Sequence, residues 1–165
     1  MNAAAKLAEG IAQLEFPVPP QAQGLLLNYL ALLQKWNRTY NLTAVRETSQ
    51  MVTHHLLDSL AIAPHVTATT VLDVGSGAGL PGIPLALALP GTQVTLLEAS
   101  HKKAAFLQQA KTEMQLDNIS VVCERVERWN PGRTFEMVIS RAFSELSDFV
   151  ALAGRHRAPG GRLAA

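Results

Sequence analysis

The sequence predicts an α/β fold: a doubly wound parallel sheet with helices on both faces, entered through a helical cap. Three observations predict it. From Val71 onward, short apolar runs alternate with helix-length segments, the rhythm of β-α-β-α units. The first of those runs passes straight into a glycine-rich turn, Val71 to Pro84, reading VLDVGSGAGLPGIP. A second apolar run, Val94 to Leu97, ends in Glu98, 25 residues after Asp73. Strand, glycine turn, helix and acid-tipped strand together make the nucleoside-binding half of such a sheet.

The elements follow in order. Residues 1–16 read as an alanine-rich helix, broken by Pro17, Pro19 and Pro20. From Gln21 to Trp36 the apolar positions Ala22, Leu25, Leu26, Tyr29, Leu30, Leu33 and Trp36 keep i, i+3, i+4 spacing, an amphipathic helix. Trp36 to Thr43 is polar and asparagine-rich and reads as a connection; a further helix spans about Ser49 to Ile62. Residues 1–65 are thus expected to form the cap and 66–165 the sheet-bearing core, packed as one compact unit. Strands are predicted at 70–74, 93–98, 119–123, 135–139 and 161–165, and helices at 82–89, 101–116 and 145–157. Pro84 suits a helix's first turn, where its missing N–H has no partner to lose. Ser100 and Ser144 suit N-caps. The chain stops in the fifth strand, whereas a sheet of this type usually has seven, the last two an antiparallel pair. C-terminal strands are therefore expected to be missing.

Composition narrows the class. With 165 residues the chain can bury one proper core, and 48% hydrophobic with 16% charged residues is ordinary for a globular domain. No run approaches the roughly 20 apolar residues of a membrane-spanning helix. Glu9, Gly10 and Glu15 interrupt the amino terminus, which does not read as a signal peptide. Cys123 is the one cysteine, which excludes an internal disulfide and makes a cytoplasmic location the default. Net charge is only +1, so a nucleic-acid partner must meet a local patch; ten of the 14 Lys and Arg follow residue 82.

The glycine turn admits two cofactors. Gly77, Gly79 and Gly82 fit G-x-G-x-x-G, and Glu98 lies 21 residues after Gly77, as a nicotinamide dinucleotide would ask. Asp73 favours the other. A pyrophosphate over this turn would be repelled by a carboxylate, whereas S-adenosylmethionine (AdoMet) has no phosphate and carries a sulfonium and an ammonium. Glu98 can accept hydrogen bonds from both ribose hydroxyls.

The chain also resembles a known family, the bacterial small-subunit ribosomal RNA methyltransferase G family, long called glucose-inhibited division protein B. The matching stretches are LLQKWNRTYNLTAV (Leu32 to Val45), HHLLDSL (His54 to Leu60), LDVGSGAGLPGIPLA (Leu72 to Ala86), LLEASHKKAAFL (Leu96 to Leu107), RVE (Arg125 to Glu127) and FEMVISRAF (Phe135 to Phe143). Gly79 to Pro84 together with Ser140-Arg141-Ala142-Phe143 is far more specific than any glycine loop. The resemblance implies a Rossmann-like class I AdoMet-dependent methyltransferase core. It implies methylation of N7 of one guanine of 16S ribosomal RNA, position 527 in the usual rRNA numbering, with 16S RNA or the 30S subunit as partner. A monomer without metal or membrane attachment is expected. It also implies that Gly75 and Leu80 line the methionine side of the cofactor, with Asp73 and Gly77 in the same turn, and that Val126 and Glu127 meet the adenine. Arg141 joins the site from the carboxyl edge of the fourth strand.

The chemistry is consistent by omission. Guanine N7 has a free lone pair, so attack on a sulfonium methyl needs positioning rather than a general base. The place of the (Asn/Asp)-Pro-Pro-aromatic motif of exocyclic-amine methyltransferases is held by Ser140 to Phe143. Cys123 lacks a Pro-Cys context and reads as core rather than nucleophile. His54 and Asp58, at i, i+4 on one helix face, are read as a hydrogen-bonded pair that either braces the cap against the cofactor loop or faces the target base. They do not make a zinc site, since two ligands leave its shell incomplete. Lys102, Lys103, Arg125 and Arg128 are candidate RNA contacts, and Phe143 either stacks on the guanine or fills the core. Two rival functions remain: a nicotinamide-dependent oxidoreductase and a non-catalytic ribosome-binding module.

Overall fold

A computed structural model describes residues 1–141 and 143–165; Ala142, inside the Ser140–Phe143 motif, lies outside them. Five parallel strands form one sheet in the order β3-β2-β1-β4-β5, with β1 Thr70–Val74, β2 Gln93–Leu97, β3 Ile119–Val122, β4 Phe135–Ile139 and β5 Arg157–Ala164. The chain winds outward from β1 through β2 to β3, then crosses back to β4. The reversal leaves a crevice at the carboxyl ends of β1 and β4, where open α/β sheets take their ligands. β1 is central and covered on both faces: Val71 to Val74 are all buried, and the one acid among them, Asp73, accepts from Gly82 N.

The cap comprises α1 (Ala3–Gln13), α2 (Pro20–Tyr40), α3 (Thr48–Met51), a π-helical turn at Val52–Leu57, and α4 (Asp58–Leu60). Asn2 caps α1 through the Ala5 N–H at 2.8 Å, and Pro20 opens α2. α2 runs four residues past the expected end at Trp36. It stops where Asn41 adopts φ 51°, a left-handed C-cap. The asparagine-rich segment read as a connection is therefore largely helix. Its polar groups are used locally: the Asn37 side chain accepts from Thr43 N at 2.9 Å, and Arg46 donates to the Asn37 carbonyl at 3.1 Å.

One face of the sheet carries the cap, α5 (Gly82–Ala88) and α6 (His101–Glu113). Leu26, Tyr29, Leu33, Leu56, Ile83, Leu96, Phe106 and Leu107, all fully buried, form its core. The rings of Tyr29 and Trp36 meet Phe106 at 6.3 and 5.6 Å between centroids. Ser100 caps α6 through Lys103 N, as expected. The opposite face is thinner. α7 (Leu146–Ala153) places Phe149 and Ala153 on Leu72, Val74, Leu97 and Val138. α7 starts later than predicted, with Glu145 rather than Ser144 at its N-cap, and a single 3-10 turn at Gly154–His156 ends the helical stretch. β5 begins four residues before its expected start. Its register on β4 shifts between Phe135 and Met137, a bulge that absorbs Pro159, Gly160 and Gly161, the residues that hid the strand from its pattern.

Candidate cofactor and RNA site

The site begins where β1 ends. Gly75, Gly77 and Gly79 have φ of 68°, 59° and 91°, values that side chains with a Cβ resist, so the turn needs its glycines. Its amides are nearly all engaged from within. Gly75 N and Ser76 N donate to the Leu97 carbonyl at 2.8 and 3.1 Å, tying the turn to the end of β2. Gly79 N and Leu80 N donate to the Ser76 carbonyl. Gly77 N donates to Glu98 Oε1 at 2.8 Å, and Gly82 N donates to Asp73 Oδ2 at 3.0 Å.

The two acids differ in surroundings. Glu98 bridges the turn and α6: its second oxygen accepts from Ser100 N at 2.7 Å. Each oxygen retains a lone pair, so the carboxylate can still accept from hydroxyls. Asp73 is wholly buried on the cap side of the sheet, and its Oδ1 has no hydrogen-bond partner. Burial pushes its carboxyl up to about 8, against the opposing pull of the Gly82 N–H and the Arg141 charge. Gly82 is required beside it: a Cβ there would lie 2.7 Å from Asp73 Oδ2 and 2.3 Å from Leu96 Cδ2.

Next to the turn lies a cleft lined by Val74, Gly75, Leu97 and Ala99 on one side and by Glu124, Arg125, Val126, Glu127 and Phe143 on the other. The structure thus brings together Gly75, Val126, Glu127, Arg125 and Phe143. Phe143 lines the cleft and also packs its ring 5.5 Å from Phe149, as a core aromatic would. Leu80 is placed differently: it is half-buried against the cap-side core, and it does not line this cleft.

Arg141 reaches from the end of β4 to the cap. Its guanidinium lies 3.1 Å from Asp58 Oδ2 and donates to the His54 carbonyl at 3.3 Å and to Ser59 Oγ at 3.5 Å. Asp58 therefore pairs with Arg141 rather than with His54. The π-turn explains why: Asp58 N bonds back five residues to the Thr53 carbonyl, so simple i, i+4 geometry does not apply. Both His54 and Asp58 are exposed. Lys102, Arg125 and Arg128 are exposed and Lys103 half-buried, and they flank the cleft in sequence. Cys123 corrects its reading as core: it is exposed, with Sγ 3.4 Å from His101 Nδ1, because β3 ends one residue earlier, at Val122. Among the described residues, no group of three or more His, Cys, Asp or Glu could hold a metal ion, and no helix is long and apolar enough to cross a membrane.

One residue of the site escaped the sequence reading. Tyr29, in the middle of α2, donates its hydroxyl to the Ala78 carbonyl at 2.7 Å, inside the glycine turn. In sequence it is one position of an apolar stripe. Its signal was the hydroxyl, which a buried tyrosine must satisfy somewhere.

An open parallel sheet with a glycine turn and an acid at the tip of β2 defines a class, the doubly wound nucleoside-binding α/β proteins. The O-methyltransferase TomG from Streptomyces achromogenes, solved in complex with SAM, shares the fold at TM-score 0.59 and 18% identity, covering 82% of this chain and 63% of that one. The particular family is equally plain: the chain belongs to the GidB family, rRNA small subunit methyltransferase G, whose model matches residues 22–165. It is 57% identical to the ribosomal RNA small subunit methyltransferase G of Nitrosospira multiformis, over 93% of this chain and 71% of that protein. It is 55% identical to the protein of the same name from Aromatoleum aromaticum, over 98% and 79%. The chain is accordingly a methyltransferase of the ribosomal RNA type.

Proposed function

We propose that the chain transfers a methyl group from AdoMet to N7 of one guanine of 16S ribosomal RNA. The observation that carries the cofactor is the occupancy of the turn's amides. A dinucleotide pyrophosphate is held by free backbone N–H groups at such a turn. Here six amides are taken from within, two of them by the carboxylates of Glu98 and Asp73. A phosphate would find few free donors and the Glu98 carboxylate beside them; a cationic, phosphate-free nucleoside suits the same surface.

AdoMet, when bound, supplies an electrophilic methyl group on a sulfonium. Gly75 and the strand ends lend backbone contact, and Glu98 offers lone pairs to ribose hydroxyls. Val126 and Glu127 border the adenine side. The buried Asp73 carboxyl lies under the turn, where the positive charge of a bound cofactor would favour its ionised form. Phe143 offers a ring face at the mouth of the cleft. Guanine N7 arrives with its lone pair free, so no side chain has to take a proton. Lys102, Lys103, Arg125 and Arg128 are assigned to RNA phosphates, and His54 and Asp58 to the cap's rim over the target base. Residues 1–65 serve as the cap and 66–165 as the core of one unit, a cytoplasmic monomer acting on 16S RNA within or outside the 30S particle.

Titration calorimetry with S-adenosylhomocysteine and with NADH tests the cofactor. Binding of NADH and not of the homocysteine product would overturn it. Glu98→Ala should weaken product binding at least about tenfold, since a hydrogen bond to a charged acceptor contributes ~1.5–3 kcal/mol. Transfer of label from tritiated AdoMet to 30S particles tests the reaction, and its absence with intact cofactor binding would point to a non-catalytic ribosome-binding role.

A further inference from the structure

We propose that Tyr29 is a positioning residue of the cofactor site, and that the cap helix α2 thereby forms part of that site. The inference rests on the reading of the glycine turn as the AdoMet-binding element. Tyr29 is wholly buried and comes from the cap, 49 residues before the carbonyl it meets. That carbonyl belongs to Ala78, the middle of Gly77-Ala78-Gly79, and Ala78 is itself buried. Three positive-φ glycines give the backbone here the freedom to take several paths. Leu97, Glu98 and Asp73 hold the turn through its N–H groups. Tyr29 takes the Ala78 carbonyl, so the turn is pinned by both kinds of backbone group.

The donor is held in place. The Tyr29 ring lies 6.3 Å from Phe106, a fully buried residue of α6. Burial raises the phenol's pKa from its ordinary value, so the hydroxyl stays a donor across the working pH range. Losing it would leave a buried carbonyl unpaired, and a buried group left unpaired costs more than a bond never formed. The turn would then relax toward conformations that satisfy Ala78 and misalign its cofactor-facing backbone.

Tyr29→Phe tests this, because it removes the hydroxyl and retains the ring. Leu7→Ala, in α1, is the control: Leu7 is buried in the same core but lies in a helix that packs on α2 and the π-turn. Below both melting temperatures, Tyr29→Phe should weaken S-adenosylhomocysteine binding on the order of fivefold or more, and Leu7→Ala should not. In label-transfer assays the KM for AdoMet should rise while kcat and the KM for RNA stay near wild type. An unchanged dissociation constant, or an equal loss in Leu7→Ala, overturns the proposal. Hydrogen exchange at the amides of residues 75–80 in the ligand-free chain decides the tether independently of the cofactor. Faster exchange in Tyr29→Phe supports it, and unchanged protection overturns it. Failure of the wild-type chain to bind the product would instead count against the proposed cofactor.

Discussion

The two faces of the sheet are built to different standards. The cap-side face is covered by α1 to α6 and holds most of the core, including Leu26, Tyr29, Leu33, Leu56 and Phe106. Among the described residues, the other face has one α-helix, α7, and a helix-free connection from 123 to 134 that covers it with Val126 and Trp129. The cleft opens among residues of the thin face: Val74, Leu97 and Val126 belong to its small cluster, and Phe143 packs on it. The glycine turn sits between the faces and is anchored from the thick one, by Asp73 and Tyr29. Rigidity and access are thus assigned to opposite sides of one sheet. A ligand pocket needs both, and a single-layer sheet can supply both only by being asymmetric.

Aromatic truncation tests this asymmetry most severely. Phe106→Ala and Phe149→Ala remove equivalent fully buried rings from the two faces, and such changes cost ~3–5 kcal/mol. Phe106→Ala should fall at the upper end, since Tyr29 and Trp36 lose their common partner. Phe149→Ala should fall at the lower end, because half-buried Phe143 can close on the gap. Equal costs in urea unfolding would erase the distinction.

Gly82→Ala probes the anchor of the turn. Its Cβ would collide with Leu96 and crowd Asp73, an overpacking worth ~1–3 kcal/mol. Thermal unfolding should drop and product affinity fall with it. A neutral effect would mean that the anchor is looser than its distances suggest.

The buried acid gives the thick face a pH signature. The folded chain keeps the Asp73 proton up to about pH 8, while the unfolded chain releases it in the ordinary carboxylate range. The folded state therefore binds more protons between those limits, and the ligand-free protein loses stability as pH rises through them. Asp73→Asn should flatten that part of the profile while preserving an acceptor for Gly82 N. A profile identical to wild type would remove Asp73 as its source.

The smallest effect belongs to the bridge between cap and β4. Arg141 and Asp58 are substantially exposed, and pairs of that kind contribute ~0.2–1 kcal/mol. Asp58→Asn should shift stability by no more than that, and the shift should vanish at high salt. A larger, salt-resistant loss would make the bridge a main support of the cap.

Much of this was legible in the chain. Four of the five strands fell close to their predicted bounds, because β1, β2 and β4 are largely buried and read as apolar runs, and the edge strand β3 is a short apolar run as well. The turn was legible because glycine adopts its angles far more readily than other residues, and Glu98 because it ends an apolar run. The errors have separate causes. Trp36 to Tyr40 looks irregular in sequence, yet Asn37 is satisfied by nearby Thr43 and Arg46 while the Trp36 ring packs on distant Phe106. The Pro-Gly-Gly bulge of β5 is held regular by its pairing with β4. Cys123 depended on one residue of strand length, which a pattern does not resolve.

The sequence by itself therefore determined the alternation of elements, the place of the glycine turn and the acids that border it. These are properties of neighbours along the chain: period, propensity and backbone freedom. The tertiary structure decided which of those groups meet. It buried Asp73 while leaving Glu98 bridged to two amides, sent Arg141 to Asp58, and delivered Tyr29 to a carbonyl 49 residues away. Such pairings follow from how the cap packs on the sheet, because the free energy that selects them is released only when both elements leave water together.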